Sequence, residues 1–577
     1  MKKKLLPALI VTGLIILVVI IMGITALINK YTPTKKTEDL KEYFNISSDD
    51  EAALIVDNEL SDYKAKIIDK KIYVDYKFVH DSLNSRFYWD ANENVLLYTT
   101  ASDIISAAAD SNSYSVTKQT NDFGYPIVKA TSDSALIALD YVKQYSNITF
   151  KSYDDPARIV ITSKWDEIDS ATVSKSTQVR VKGGIKSPIL KEVKKDDKIT
   201  ILDSGDKWDK VATEDGIIGY IKRKALSESK KTKLTNPDYE EETFTHIKKD
   251  KDICLAWNQV TSQSANSKVP QVISSTKGIN VMSPTWFYLN DNNGNLADIA
   301  SKDYVNYCHS QGIEVWGLFS NLENTDVDAA YVLTHTSTRT TLINQIMSAA
   351  FNYELDGVNI DFENITEAAY GDSYIEFIRE LAIKCHNNGI SLSVDVTVPA
   401  SFNKFFNRSD MANFADYIVI MGYDEHYKGS DAGSVSSIPW VTEGVESTLK
   451  EVPADQIILG MPFYTRIWEL TPKEDDDAVI DTEDQSKYTV ASQVYSMDAA
   501  AAQLATNNAT AALDEESGQN YAEWSVSNKL YKVWLEDTTS LEKRLKLVDD
   551  NKLAGAAFWK LGFENSSVWD TVIKYLN

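Results

Sequence analysis

Hydrophobic and polar positions follow different patterns in different parts of this 577-residue chain, and each pattern predicts a type of element. An uncharged run from Leu5 to Ile28 is long enough to cross a bilayer as a helix, which needs about 20 apolar residues. From about 50 to 228, short apolar runs separated by polar turns predict strands and small helices. From about 245 to 577, β-branched runs alternate with helical patterns, which is typical of parallel βαβ units.

Eight strands are predicted in the last region, and they fit a (β/α)8 barrel of the TIM type. They are Ile253–Trp257, Ile279–Ser283, Glu314–Phe319, Gly357–Asp361, Ser391–Val396, Tyr417–Met421, Ile457–Met461 and Gly555–Trp559. One helix is predicted from about Ser373 to Asn387, with Asp372 or Ser373 as N-cap and Gly389 beyond its end. An insertion at about 469–533, with the acidic run Glu474–Asp477, is either one wall of a cleft or a solvated surface segment.

The regions before the barrel are smaller. Residues 1–30 hold the lysines Lys2 to Lys4 and the apolar run, and residues 31–49 form a tether. In residues 50–165 the pattern strand, helix, strand, strand occurs twice, which predicts a tandem α+β repeat. This repeat resembles the one named after the N-terminal domain of copper amine oxidase, and the resemblance implies no copper site. Residues 170–228 resemble a bacterial SH3-like domain, an all-β barrel that serves as a spacer or contacts the cell wall, and 229–244 form a linker.

Composition narrows the possible partners. The net charge of −25 argues against nucleic acid or anionic lipid as the main ligand, because both are polyanions. A neutral polar ligand such as a sugar suits the 12 Trp and 30 Tyr residues. Cys254, Cys308 and Cys385 are scattered, so they form no disulfide framework and have no metal-ligand spacing. We read all three as buried small hydrophobic residues.

The N-terminus predicts the cellular location. Lys2, Lys3 and Lys4 precede the apolar run, so we expect them to stay in the cytoplasm and the chain after Lys30 to lie outside. The run is long and ends without a convincing cleavage site, which favours a single-pass signal-anchor over a cleaved signal peptide. With a cleaved peptide the protein would be secreted, so the working domains are exported in both cases.

The fourth predicted strand carries the candidate chemistry. Val358, Ile360 and Phe362 alternate with Asn359, Asp361 and Glu363, which is the period of a β-strand. Side chains two apart share a face at roughly 6–7 Å, so an amide and two carboxylates line one side. Paired carboxylates at this range can protonate a leaving group and stabilise the charge that develops beside it. The alternative is an edge strand with a solvated polar face.

The barrel region resembles glycoside hydrolase family 18, whose fourth strand reads D-x-x-D-x-D-x-E. Asp356, Asn359, Asp361 and Glu363 follow this motif and depart from it only at Asn359. Further matching segments follow in the family's order. They are Ser283–Tyr288 in the second strand, Met421–Asp424 in the sixth, Gly460–Tyr464 in the seventh and Phe558–Gly562 in the eighth.

This resemblance implies hydrolysis, with retention, of a β-1,4 bond next to an N-acetylglucosamine, in which the acetamido oxygen of the substrate is the nucleophile. It makes Glu363 the general acid and then the base, while Asp361 orients the acetamido N–H and offsets the positive intermediate. Tyr423 would donate a hydrogen bond to the acetamido carbonyl. Asn359, Asp424, Tyr464, Trp559 and Trp286 are the expected substrate-binding residues, the two tryptophans by stacking on sugar faces. Core packing is the alternative for each tryptophan, and no metal or organic cofactor is implied.

Within this family, Asn359 and the sequences of strands two and three most resemble the branch that includes bacterial spore-cortex-lytic N-acetylglucosaminidases. We therefore expect peptidoglycan as the polysaccharide substrate. Chitin and the chitobiose core of N-glycans are alternative substrates for the same enzyme. A non-catalytic carbohydrate-binding scaffold is the alternative from another class, and the intact Asp361 and Glu363 weigh against it.

Overall fold

The structure, a computed structural model, describes residues 5–363, 365, 368–473 and 485–576. The predicted acidic run Glu474–Asp477 and the three N-terminal lysines lie outside the described residues. The chain forms two compact units. The first comprises Met1–Trp89, Ala107–Tyr114 and Asn121–Glu241, and the second comprises Asp90–Ser106, Ser115–Thr120 and Glu242–Asn577.

The first unit begins with the apolar helix α1, Leu5–Tyr31. Its segment Pro7–Tyr31 is long and apolar enough to cross a membrane by length and composition, and it is not buried within the protein. The short helix α2, Leu40–Tyr43, follows in the tether, where the Asp39 carboxylate caps its first N–H groups.

A seven-stranded sheet takes strands from both predicted repeat units, in the order β11-β12-β1-β2-β3-β10-β9. Each of the two predicted repeats contains one helix between strands, in the order β3-α3-β4-β5 and β10-α4-β11-β12. That these two segments form a repeat stays a prediction. Strands β4 to β8 form a further sheet, in the order β4-β5-β6-β7-β8. The elements are β1 Glu51–Val56, β2 Glu59–Ile68, β3 Lys71–Asp75, α3 Tyr76–Ser82, β4 Phe87–Asp90, β5 Val95–Thr99, β6 Ile104–Ala108, β7 Ser113–Val116, β8 Gln119–Asp122, β9 Val128–Ala130, β10 Ala135–Ala138, α4 Leu139–Gln144, β11 Thr149–Tyr153 and β12 Arg158–Thr162.

A second seven-stranded sheet covers the region predicted to be SH3-like, and its order is β15-β14-β18-β17-β16-β13-β19. Its inner face shares a core with the first sheet, in which Ala53 and Ile55 pack with Val179, Val211 and Ile221. The likeness to an SH3-like domain stays a prediction. The strands are β13 Glu167–Thr172, β14 Thr177–Arg180, β15 Ile189–Val193, β16 Lys198–Asp203, β17 Trp208–Thr213, β18 Ile218–Lys222 and β19 Lys230–Lys233.

The second unit contains a closed barrel of eight parallel strands, which confirms the predicted (β/α)8 architecture. Going round the barrel, the order is β20-β33-β27-β26-β25-β24-β23-β21, and pairing of β20 with β21 closes it. The short strand β22, Leu296–Asp298, pairs antiparallel with β21 outside the ring. The barrel strands are β20 Ile253–Asn258, β21 Val281–Leu289, β23 Glu314–Ser320, β24 Gly357–Asp361, β25 Ser391–Thr397, β26 Tyr417–Met421, β27 Ile457–Pro462 and β33 Gly555–Trp559.

The helices around the barrel bury the outward-facing apolar positions of these strands, among them Val358, Ile360 and Phe362. The helix predicted from Ser373 begins earlier than expected, since it runs from Ala368 to His386 and includes Asp372 and Ser373, which therefore are not its N-cap. Gly389 follows its end with a φ of 69°, as expected of a residue beyond a helix terminus. The helices are α5 Val269–Val272, α6 Lys302–Ser310, α7 Ala329–Thr334, α8 Thr336–Tyr353, α9 Ala368–His386, α10 Arg408–Phe414, α11 Ile438–Thr448, α12 Met497–Thr506, α13 Thr538–Asp550 and α14 Val568–Tyr575.

The insertion in the seventh βα unit is an antiparallel sheet, in the order β29-β28-β32-β31-β30, with helix α12 as its only α-helix among the described residues. Its first strand starts at Tyr464, two residues after β27 ends, so the inserted structure begins earlier than the predicted residue 469. The strands are β28 Tyr464–Pro472, β29 Tyr488–Ser496, β30 Ala512–Asp514, β31 Gln519–Val526 and β32 Lys529–Leu535.

Candidate active site

The two candidate carboxylates lie at the carboxyl end of β24. Asp361 is the last residue of that strand, and Glu363 follows it in the loop at the face of the barrel where TIM-barrel active sites form. Asp361 is buried, with 8% of its surface exposed, whereas Glu363 is exposed. The strand therefore places one carboxylate inside the barrel mouth and the other at its rim.

Asp361 has the electrostatic environment of a functional carboxyl. Burial, and then the negative charges of Glu363, Asp395 and Glu323, raise its pKa well above the ordinary value of an aspartate. Its Oδ1 atom is buried and accepts no hydrogen bond from the described residues. A buried acceptor without a donor is costly in a folded protein, and such groups are found at sites that receive their partner from a ligand.

Glu363 is held through its backbone. Its N–H donates a 3.0 Å hydrogen bond to Oδ1 of Asn321, a buried residue that follows β23. Desolvation at the barrel mouth, followed by the charges of Asp424 and Glu323, raises the pKa of the Glu363 carboxyl. A carboxyl with a raised pKa keeps its proton closer to neutral pH, which is what a general acid requires.

Asn359 lies deeper in the barrel and is fully buried. Its Oδ1 accepts hydrogen bonds from Trp257 Nε1 and Ser283 Oγ, both at 2.9 Å. Its Nδ2 donates to Ser393 Oγ at 3.0 Å and to Asp395 Oδ1 at 2.7 Å. An indole N–H can only donate, which fixes the orientation of the amide. The expectation that Asn359 binds substrate is therefore wrong, because no surface or hydrogen-bonding capacity is left for a ligand.

Tyr423 follows β26 and is half-buried beside this cluster. Burial, and then the charges of Asp361 and Asp395, raise the pKa of its phenol well above the ordinary value, so the hydroxyl stays protonated and able to donate. The Tyr464 hydroxyl donates a short hydrogen bond to Asp424. Arg466 approaches the same Asp424 carboxylate at 3.8 Å, so two groups from the insertion orient this side chain.

The two predicted tryptophans have different environments. Trp559, the last residue of β33, is half-buried, and its ring lies 5.8 Å from that of Trp257. Trp286 is fully buried in the layer between strands and helices, where its Nε1 donates to Asn266 at 2.8 Å. The prediction that Trp286 stacks on a sugar is therefore wrong, because β21 turns its side chain outward into the core.

The structure adds residues that the sequence did not single out. Asp395 on β25 is buried beside Asn359, and burial raises its pKa well above the ordinary value even though the hydrogen bond from Asn359 lowers it. Asn321 and Trp257 contact the fourth-strand residues from β23 and β20. The only sequence signal for them was their position at or near the carboxyl ends of predicted barrel strands. Among the described residues, no group of three His, Cys, Asp or Glu is arranged to hold a metal ion.

This arrangement can carry out acid-assisted bond cleavage. Glu363 offers a proton at the rim, Asp361 offers a buried carboxyl oxygen without a donor behind it, and Tyr423 offers a protonated hydroxyl that can donate. Trp559 presents a partly open aromatic face at the same end of the barrel. These groups suit a polar ligand whose reacting atom sits between two carboxyls.

Comparison with known proteins concerns the barrel region as a whole. Residues 318–564 match the family profile described as glycosyl hydrolases family 18. The match includes Asp361, Glu363, Tyr423 and Trp559. Residues 318–564 are therefore similar to family 18 glycosyl hydrolases, and the chain is a glycoside hydrolase.

Three similar proteins illustrate the extent of the relationship. An uncharacterized glycosylase, YvbX of Bacillus subtilis (strain 168), is 24% identical over 300 residues, 49% of this chain and 81% of that protein. The cortical fragment-lytic enzyme of the same organism is 24% identical over 287 residues, 48% of this chain and 63% of that enzyme. The crystal structure of the C-terminal domain of a predicted chitinase from Desulfitobacterium hafniense DCB-2 has a TM-score of 0.50 and 19% identity, covering 56% of this chain and 98% of that domain, and this likeness shows the fold alone.

Proposed function

We propose that this protein hydrolyses β-1,4 bonds adjacent to N-acetylglucosamine, with retention of configuration and with assistance from the substrate's own acetamido group. The observation that carries the proposal is the pair formed by Asp361 and Glu363 at the end of one barrel strand. Asp361 is buried and its Oδ1 accepts no hydrogen bond from the described residues, and Glu363 is exposed and has a raised pKa. No third carboxylate nucleophile is needed when the acetamido oxygen attacks the anomeric carbon.

In the first step the protonated Glu363 gives its proton to the leaving glycosidic oxygen as the acetamido oxygen closes onto C1. Asp361 accepts the acetamido N–H and offsets the positive charge of the cyclic intermediate. Tyr423 donates to the acetamido carbonyl and holds it in line for attack. In the second step Glu363, now ionised, takes a proton from the water that opens the intermediate, which restores the starting protonation state.

Two further side chains complete the proposed sugar site. Trp559 stacks on the face of the reacting sugar, where it replaces water on an apolar ring surface. Asp424, oriented by Tyr464 and Arg466, accepts a hydrogen bond from a sugar hydroxyl. Tyr464 is buried and already donates to Asp424, so its proposed part is to orient that carboxylate.

Peptidoglycan is the polysaccharide that we favour. One relative is named as a cortical fragment-lytic enzyme, and an apolar N-terminal helix precedes the folded units of this chain. We propose that the helix is a single-pass anchor and that the catalytic domain lies outside the cell, next to the wall. Chitin is the second candidate, because another relative is named as a probable di-N-acetylchitobiase.

Product analysis by mass spectrometry tests this proposal. The purified chain is incubated with peptidoglycan, chitin oligomers and a high-mannose glycan, with the Glu363→Gln variant as the matched control. Peptidoglycan fragments with N-acetylglucosamine at the new reducing end are expected from the wild type alone. Cleavage of chitin or glycan but not of peptidoglycan would move the assignment to the alternative substrate. Absence of cleavage of all three would contradict the hydrolase proposal.

A further inference from the structure

The sheet formed by β13 to β19 has the opposite charge from the chain as a whole. Residues 167–233 contain 16 Lys and Arg against 11 Asp and Glu, whereas the whole chain has 59 against 84. This sheet therefore has a local excess of positive charge in a protein with a net charge of −25, and such a surface attracts polyanions.

The register of the sheet gathers several of these cations on its polar face. Trp208 pairs directly with Lys222, and Lys210 pairs with Tyr220, so these four side chains lie on one face of β17 and β18. The Lys222 ammonium lies 5.6 Å from the centre of the Trp208 ring, within cation–π range. Val211 and Ile221 point the other way, into the core.

The same face continues across the neighbouring strands. Thr200 pairs with Ala212 on β17 and with Ser170 on β13, and Ser170 in turn pairs with Lys230 on β19. Lys198 pairs with Thr172 on the same side. The resulting face spans five strands, or roughly 20 Å at the usual strand spacing. Its members, called the basic face below, are Ser170, Thr172, Lys198, Thr200, Trp208, Lys210, Tyr220, Lys222, Lys230 and Thr232.

The basic face is open and its cations are not neutralised by ion pairs. Lys198, Lys210 and Lys230 are exposed, and none of the four lysines forms an ion pair with any described residue. A groove of about 740 Å³ runs over the β13, β16 and β19 part of the face. Glu214 and Glu228 also line this groove, and Asp203 lies opposite Lys210 in the pairing of β16 with β17. The four lysines therefore have three carboxylates near them.

We propose that the basic face binds a linear polymer of sugar or polyol units joined by phosphodiesters. A row of ammonium groups along a face suits regularly spaced phosphates, and the Trp208 and Tyr220 rings can pack on the apolar faces of the units between them. The hydroxyls of Thr172 and Thr200 can bond the remaining polar groups. This surface is separate from the sugar site of the barrel, so the proposal does not rest on the proposed hydrolase activity.

A phosphate-bearing lipid surface offers the same charge, and the sheet itself favours the polymer. The chain that follows helix α1 joins the edge strand β15, where Glu38 N–H donates to Ile189 O and Ile189 N–H donates to Lys36 O. Strand β19, with Lys230, is at the opposite edge of the sheet. Lysines that served a flat membrane would be expected beside the segment that leads to the apolar helix.

Binding of the full-length chain, in neutral detergent, to polyglycerol phosphate tests the proposal. A variant with Lys198, Lys210, Lys222 and Lys230 changed to Gln is compared with a control in which Lys175, Lys194, Lys195 and Lys224 are changed to Gln. Both variants have the same net charge. We expect the first variant to bind about 10- to 100-fold more weakly and the control to bind within about threefold of wild type, because specific placement outweighs total charge.

Two further measurements make the outcome decisive. Trp208→Ala should weaken binding several-fold at unchanged charge, and 0.5 M NaCl should weaken wild-type binding strongly, since salt screens exposed charges. Equal losses in the two Gln variants, no binding of the polymer, or binding only to phosphatidylglycerol vesicles would each overturn the proposal. Turnover of a soluble chitin oligomer, measured in parallel, should be the same in all variants and tests the barrel separately.

Discussion

Asn359 shows how one residue organises the candidate site without touching a substrate. Its amide connects Trp257 and Ser283 on one side with Ser393 and Asp395 on the other, so it links four strands of the barrel interior. Sequence spacing places Asn359 and Asp361 on the same face of the strand. In the structure the Asn359 NH2 donates to Asp395, which is one of the charges that raise the pKa of Asp361. The coupling between position 359 and the catalytic pair therefore runs through Asp395.

Asn359→Asp is expected to keep the fold and activity but to move the acidic limb of the pH–rate profile upward. The new carboxyl would lie where Nδ2 is now 2.7 Å from Asp395, so the two groups would share a proton and the cluster would ionise at higher pH. The profile of kcat against pH measures this shift. Profiles that superimpose would show that position 359 is not coupled to the catalytic carboxylates.

Asp361→Asn is expected to stabilise the protein at neutral pH while abolishing most activity. A carboxyl whose pKa is raised in the folded state binds more protons there than in the unfolded chain, so folding stability falls as pH rises from the unfolded value towards the folded one. The amide removes this penalty, so the variant should be measurably more stable than wild type at pH 7. The gain should become small near pH 4, which is close to the pKa of an aspartate in the unfolded chain.

Urea unfolding of both proteins at pH 4 and pH 7 measures the difference. Asp303→Asn, an exposed aspartate in the first turn of helix α6, serves as the control and should show no gain. Equal stabilities of Asp361→Asn and wild type at pH 7 would show that burial of the Asp361 charge has no net cost.

At the scale of elements, helix α8 depends on residues far away in the sequence. Its N-cap residue His335 makes no side-chain capping bond. Instead Asp90 Oδ2 accepts hydrogen bonds from the Thr336 N–H and hydroxyl at 2.7 and 2.6 Å, and the Glu93 carboxylate accepts from the Ser337 N–H. Asp90 is 1% exposed. A segment from the predicted repeat region therefore completes a helix of the barrel unit.

Asp90→Ala should lower the free energy of unfolding by about 2 kcal/mol, because it removes a helix cap and leaves buried donors unsatisfied. Chemical denaturation of the full chain measures the loss. Glu93→Gln should cost less than about 0.5 kcal/mol, since its partner Ser337 is exposed and the amide oxygen can still accept. A similar small effect of both substitutions would show that Asp90 does not support helix α8.

The eight barrel strands were predictable because each is a short, mainly apolar run buried on both sides, which few other elements allow. The start of helix α9 was not predictable, because Gly371, Asp372 and Ser373 read as a helix boundary. Gly371 lies within the helix, where a Cβ would come 2.9 Å from the Phe405 backbone oxygen. The glycine is therefore required by tertiary packing and does not mark a helix boundary. Asp361 and Glu363 were found from one strand, whereas Asp395 and Asn321 reach them from neighbouring strands that sequence spacing cannot relate.

Considered as a whole, the molecule combines an apolar helix, a basic sheet and an acidic glycoside hydrolase unit. The helix is apolar and long enough to cross a bilayer, and its segment Pro7–Tyr31 is not buried by other parts of the chain. The folded units carry the polar surface. This distribution favours an exported enzyme that stays attached to the membrane.

Cell fractionation tests the attachment. The full-length chain should remain in the membrane fraction, and external protease should digest residues 31–577 in intact cells, because the apolar run lacks a convincing cleavage site. A cytoplasmic protein serves as the control for cell integrity. Recovery of a soluble form that lacks Leu5–Ile28 would contradict the anchor and indicate a secreted enzyme.

The central claim is that Glu363 donates the proton that breaks the glycosidic bond, and the Glu363→Gln variant tests it most directly. Glutamine keeps the shape of the side chain and the backbone hydrogen bond to Asn321 but has no proton to give. Turnover of a soluble oligomer should fall by about 100- to 10,000-fold, while binding of the same oligomer, measured by calorimetry, should stay within about threefold of wild type. Wild-type turnover in this variant would show that the acid lies elsewhere and would contradict the account.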